Sequence, residues 1–133
     1  MSMSSSSPAF PLQEWLGFTI ERSDGRAVAT LDLGPRHMNP YGIPHGAVAF
    51  TLMDTAMGAA VMTVVEPPNL CATIEMHTRF HSAARGEQLR AEATVMAAGR
   101  RIIHLEARTL DASGRLVASA TASFAVITPP AAG

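Results

Sequence analysis

The chain has 133 residues, a net charge of −1 and a single cysteine. That length supports one hydrophobic core, not two. Ten basic against 11 acidic residues excludes the positive footprint of a nucleic-acid binder, and a lone Cys71 excludes both an internal disulfide and a cysteine-based metal cluster and fits a reducing compartment, the cytoplasm.

Residues 1–10 are rich in Ser and have neither the basic start and apolar run of a secretory signal nor the Arg of a mitochondrial address. They read as a disordered leader, followed by one domain over residues 11–128 and a flexible tail over residues 129–133. Pro11–Leu16 suits a short helix that packs Trp15 and Leu16 on the body. Residues 18–21 and 26–33 read as two strands joined by the turn Ser23-Asp24-Gly25. Residues 34–44, with Gly, Pro and Asn, form a loop long enough to suggest a function.

A helix is expected over residues 45–65, stopped by Pro67-Pro68. It has no polar face, which predicts burial on all sides or a membrane span. Ala, Gly and Thr dilute its hydrophobicity, its one charge is acidic and central, and its flanks lack an aromatic belt, so burial is preferred. That charge is Asp54, set among Phe50, Leu52, Met53, Ala56 and Met57. A solitary acid in such surroundings is desolvated unless something satisfies or uses it.

Four alternating runs follow, over residues 72–81, 89–97, 101–110 and 116–127. In the first, Ile74, Met76, Thr78 and Phe80 share one face, and Glu75, His77, Arg79 and His81 the other. Asp111-Ala112-Ser113-Gly114 makes a tight turn. The order is β-β-α-β-β-β-β, an α+β chain in which one apolar helix lies against a curved antiparallel sheet.

A sheet wrapped around one central helix is the hotdog architecture. The motif Asn39-x2-Gly42-x2-His45-Gly46, followed by Leu52-x-Asp54-x-Ala56, resembles the signature of the PaaI-like acyl-CoA thioesterases. The resemblance continues through Thr73-Ile74-Glu75-Met76-His77-Thr78-Arg79-Phe80, Gly99-Arg100-Arg101 and the hairpin over residues 111–118, and it spans roughly residues 15–127. It implies hydrolysis of an aromatic or medium-chain acyl-CoA to free acid and CoA. It implies no cofactor beyond the CoA of the substrate and no metal.

By the same resemblance Asp54 is the carboxylate that attacks the thioester or activates water. Gly46 supplies a backbone N–H to the thioester carbonyl, Asn39 orients water or thioester, and His45 shapes the pocket near the sulfur. Thr73 stands near the attacking water. The site is implied to form at a homodimer interface, with two dimers joining into a homotetramer. Relatives usually carry a second Gly where this chain has Ala47.

The residues support part of this by themselves. Thioester hydrolysis needs a nucleophile and a stabilised oxyanion. Gly46 offers a donor at the positive end of a helix. Asp54 lies eight residues on, about 12 Å by helical rise, too far for both to reach one carbonyl carbon within a chain. A partner subunit removes that difficulty.

Plainer readings exist for each residue. Asp54 can be a structural acid, His45 a helix-start residue, Asn39 a loop cap and Thr73 an ordinary strand residue. His77 and His81 sit about 13 Å apart on a strand, too wide for one metal. Arg100 and Arg101 can bind the CoA phosphates or simply face solvent. The rival functions are a hotdog hydratase or dehydratase, which needs a His–acid pair for proton shuttling, and a non-catalytic acyl-CoA binder.

Overall fold

The computed structural model describes residues 9–130. Most of the expected leader and tail, at residues 1–8 and 131–133, lies outside the described residues. Phe10, placed in the leader by composition, sets its ring edge-on against Phe18 with centroids 5.7 Å apart.

Helix α1 (Pro11–Leu16) leads into the hairpin β1 (Thr19–Ser23) and β2 (Arg26–Asp32). A single 3-10 turn at Pro35–His37 precedes the long helix α2 (Gly46–Met62). Strands β3 (Leu70–Phe80), β4 (Gln88–Ala98), β5 (Ile102–Asp111) and β6 (Leu116–Ile127) follow. All six strands pair antiparallel in the order β1-β2-β4-β5-β6-β3. The sheet curves about α2, which is the expected hotdog arrangement.

Small side chains explain the close approach of sheet and helix. Ala27, Ala29, Ala91, Ala93, Ala107, Ala118, Ala120 and Ala122 are buried along the sheet, opposite Ala49, Ala56 and Ala60 of α2. Leu31, Leu52, Met53, Met57, Leu89, Ile103 and Leu105 fill the remaining volume.

Four details differ from the expectation. First, β3 and β4 are not neighbours. The helix carries the chain from β2 to the far edge, where β3 pairs with β6, and residues 81–87 then return it to β4 beside β2. That return is held by Asp111, whose Oδ2 accepts from the Arg85 N–H at 2.9 Å. Asp111 Oδ1 accepts from the Ser113 hydroxyl, the Ser113 N–H and the Arg115 N–H. These bonds, the Ser113 hydroxyl first, hold the Asp111 carboxyl down at about 2 despite its burial.

Second, α2 is 17 residues long and stops three residues early. Thr63 caps it, accepting from the Gly25 N–H at 2.8 Å and so tying the β1–β2 turn to the helix end. No helix among the described residues is long and apolar enough to cross a membrane.

Third, α2 is not buried all round. Its own sheet covers Leu52, Met53, Ala56, Met57 and Ala60. Ala47, Phe50, Thr51, Asp54, Thr55, Gly58 and Met62 form an uncovered stripe at helical spacing, with Phe50 40% exposed.

Fourth, β3 does not alternate simply. Its register against β6 jumps from Thr73–Phe124 to Glu75–Ser123, so Ile74 is an extra, unpaired residue. Ile74 is consequently 53% exposed.

Candidate active site

Asp54 sits near the middle of the uncovered stripe of α2 and is half-buried, not sealed. The Thr73 hydroxyl donates to its Oδ1 at 2.7 Å. The bulge at Ile74 reverses the phase of β3, so Thr73 and Cys71 face the helix where simple alternation would place Ile74 and Ala72. The Cys71 thiol points at the Gly58 carbonyl, 3.8 Å away. Burial, and then the charge of Asp54, push that thiol above its ordinary value. Cys71 is therefore held protonated near neutrality and is a poor nucleophile.

These residues line a cavity of about 420 Å³ bounded by Phe10, Ile20, Met62 and Phe124, with Arg22 at its rim. Gly58, one turn past Asp54, adds room to it. A methyl there would meet only the Phe124 ring, at an ordinary 3.5 Å.

Gly46, Asn39 and His45 line a different cavity of about 380 Å³ with Ile43, Pro44 and Phe80. The loop before α2 is folded around Asn39. Its Oδ1 accepts from the N–H groups of Tyr41 (2.9 Å) and Ile43 (3.1 Å), and its own N–H donates to the Ile43 carbonyl (2.7 Å). The oxygen of Asn39 is thus a loop cap, and its Nδ2 remains as the donor. His45 is the N-cap of α2: its Nδ1 accepts from the Ala47 N–H at 2.9 Å, and its extended backbone turns the chain into the helix. Ala47 spends its amide on that cap. The Gly46 N–H, left over at the first helical position, has no partner among the described residues.

The structure therefore joins Asp54 with Thr73, and Gly46 with Asn39 and His45, in two cavities that share no residue. Arg100 and Arg101 join neither. Both are exposed and line a separate cavity of about 700 Å³ with Asn69, Ile102 and Val126.

Sequence reasoning missed Phe10, Gly58, Cys71 and Phe80. The spacing of four residues from Asp54 could have flagged Gly58. Cys71 was hidden by the bulge, since strict alternation places it on the opposite face.

Comparison with known proteins agrees with this architecture. The family model described as the thioesterase superfamily matches residues 41–118. A Pseudomonas aeruginosa protein, PA0474, named provisionally as an esterase, is 34% identical over 86% of this chain and 87% of its own length. The crystal structure of BH2602 from Bacillus halodurans, obtained with CoA, superposes with a TM-score of 0.85 at 31% identity, covering 92% of this chain and 82% of that one. A phenylacetic acid degradation-related protein of Ralstonia eutropha, named provisionally as a thioesterase, has the same fold. Its TM-score is 0.83 at 24% identity, over 92% of this chain and 94% of its own.

Proposed function

The chain belongs to the thioesterase superfamily and is a thioester hydrolase, and on that premise we propose that its substrates are acyl-CoA esters, cleaved to a carboxylic acid and free CoA at a site shared by two subunits. Asp54 of one subunit and Gly46 of the other are the reacting pair. The observation that carries this reading is the placement of the two half-sites. Asp54, hydrogen-bonded by Thr73, opens onto one cavity, and the unpaired Gly46 N–H opens onto another.

Two features support the shared site. Among the described residues, the stripe of α2 that carries Asp54 is only partly covered, with Ala47, Phe50 and Met62 exposed and Thr51, Asp54, Thr55 and Gly58 half-buried. Strand β3, 11 residues long, ends the sheet with its outer edge unpaired among the described residues and with Leu70, Ile74 and Phe80 exposed. A long, apolar free edge favours pairing with another strand. Two copies joined there would cover both α2 stripes and bring each Asp54 toward the partner's helix start. A tetramer formed from two such dimers extends the same reading.

In the reaction, the Gly46 N–H polarises the thioester carbonyl and then holds the oxyanion, aided by the helix dipole. Asp54 either attacks the carbonyl carbon, giving a mixed anhydride that water cleaves, or takes a proton from water that attacks directly. Both routes break the C–S bond and release the CoA thiolate, which then takes up a proton. Thr73 fixes one Asp54 oxygen and leaves the other for the chemistry. Asn39 Nδ2 and His45 bound the approach of the thioester. Neither a metal nor a bound cofactor is needed.

CoA as the leaving group is supported by the CoA held by the B. halodurans relative. Arg100 and Arg101 are proposed to meet its phosphates. Apolar walls at Phe10, Ile20, Met62 and Phe124 suit an aromatic or medium-chain acyl group. A single cysteine, with no partner for an internal disulfide, fits a cytoplasmic setting.

The test is a panel of acyl-CoA esters followed by thiol release. Turnover of aryl or medium-chain esters, lost in Asp54→Asn, is expected. Acyl-CoA recovered intact after long incubation, or hydration of an enoyl-CoA without thiol release, would overturn the reading.

A further inference from the structure

We infer that Phe80 is a positioning residue for the oxyanion donor: its ring fills the space where a Gly46 side chain would stand and so holds the backbone that carries that N–H in place. This rests on the reading of Gly46 as the donor.

Position 46 is glycine for a reason other than backbone conformation. Its φ is not among the positive values, so any residue could adopt its backbone geometry. A Cβ at Gly46 would instead lie 3.1 Å from Phe80 Cε1, 3.4 Å from Cζ and 3.5 Å from Cδ1. The nearest of these is tighter than side chains ordinarily tolerate, and the ring would have to move by a few tenths of an ångström. The absent side chain at Gly46 and the ring of Phe80 are thus one fitted contact.

Phe80 stands at the end of the apolar edge proposed to pair with a second subunit. It is the last residue of edge strand β3, it pairs with Ala118, and 57% of it is exposed. Its ring packs against the side of Gly46 where a Cβ would stand, next to the helix-start amide that has no partner among the described residues, and both residues line the cavity of Asn39 and His45. A donor is strongest where water cannot compete and where it need not reorient as charge develops. The ring, fitted against Gly46, supplies the second condition by fixing the backbone that carries the donor.

The experiment compares Phe80→Leu, Phe80→Tyr, Gly46→Ala and the double variant Gly46→Ala/Phe80→Leu, using acyl-CoA hydrolysis with thiol detection. Phe80→Leu is expected to lower kcat about tenfold with KM within about twofold, since a small misplacement of a reacting group is costly. Phe80→Tyr keeps the ring and retains most of kcat. Gly46→Ala keeps the N–H but displaces the ring, for a similar loss. The double variant should be no slower than either single one, because both disturb the same contact. A proton–nitrogen NMR spectrum provides a readout independent of turnover: the Gly46 signals shift when the ring is removed. Wild-type kcat in Phe80→Leu, or losses that multiply in the double variant, would overturn the proposal while Asp54-dependent turnover still stood. Failure of the wild type to cleave any acyl-CoA would overturn the donor reading, and this one with it.

Discussion

The Thr73 hydroxyl meets Asp54 Oδ1 at 2.7 Å because one extra residue, Ile74, interrupts the pairing of β3 with β6. Without that bulge the hydroxyl would face away from α2, and Ile74 would cover the carboxylate. The contact is a charge-assisted hydrogen bond between exposed Thr73 and half-buried Asp54, a class worth about 1.5–3 kcal/mol, with the lower end expected where water has access.

Thr73→Val is therefore expected to lower kcat by roughly ten- to a hundredfold, and Thr73→Ser to keep most of it. Asp54→Asn should cost about 10³-fold or more, because the carboxylate is lost whether it acts as nucleophile or as base. Steady-state kinetics on one good acyl-CoA decides both. Equal kcat for Thr73→Val and wild type would separate Thr73 from the chemistry.

The same bulge marks where sequence reading stopped. Composition and spacing were enough for the strands, the central helix, the Gly114 turn and the isolation of Asp54, since each depends on local periodicity. Strand order was not legible. Whether β3 pairs with β4 or with β6 depends on where α2 delivers the chain, which is a property of the whole sheet. The side chains facing Asp54 were also hidden, because a one-residue insertion in a strand inverts its faces and leaves no signature in an apolar run. The uncovered stripe of α2 was missed for a different reason. Phe50, Gly58 and Met62 are as apolar as the core, so hydrophobicity alone does not distinguish a helix face that the sheet covers from one that it leaves open.

Cys71 reports on Asp54 without any substrate. Burial first, and then the Asp54 charge, push its thiol up. In Asp54→Asn the charge is gone and burial remains, so the thiol pKa falls part of the way back. Alkylation by iodoacetamide at about pH 8 should then run several-fold faster than in the wild type, because the thiolate is the reactive form. Mass spectrometry of Cys71 over time measures it. A slower reaction in Asp54→Asn would contradict the proximity of the two groups.

Asp111 gives the fold an acid-sensitive latch. Its folded value of about 2 lies below its ordinary 3.8. The group binds its proton more weakly in the folded state, so its stabilisation is complete above about pH 4 and is lost as pH falls toward 2. Asp111→Asn should lower Tm at pH 7 by roughly 5 °C and flatten the fall in stability between pH 4 and 2. Unfolding curves across that range test it. An unchanged acid limb would place the sensitivity elsewhere.

Thr109 predicts a gain. It is fully buried on β5, and its hydroxyl has no hydrogen-bond partner among the described residues. Replacing it with Val keeps the shape and removes an unsatisfied polar atom. Thr109→Val is expected to stabilise the protein by about 1 kcal/mol with no effect on turnover. Thermal or denaturant unfolding measures the change. A marked destabilisation would show that the hydroxyl is satisfied in solution.

The shared site makes the strongest demand on solution behaviour. Asp54 and Gly46 lie about 12 Å apart along one helix, and their cavities share no residue. If one subunit gives the acid and the other the donor, two inactive variants must complement each other. Gly46→Pro removes the N–H at the first helical position, where proline is tolerated, although its ring must push Phe80 aside by a few tenths of an ångström. Asp54→Asn removes the acid. Each homodimer carries two broken sites. In a mixed dimer, the Gly46→Pro subunit still supplies Asp54 and the Asp54→Asn subunit still supplies Gly46, so one site is intact and the other lacks both groups. Random exchange puts half of all dimers in the mixed form, each with one site of two. Unfolding and refolding the variants together should therefore restore about a quarter of wild-type activity, while mixing without exchange restores none. If each subunit held its own complete site, every subunit in the mixture would carry one lesion, and activity would remain at the level of the single variants under any mixing protocol.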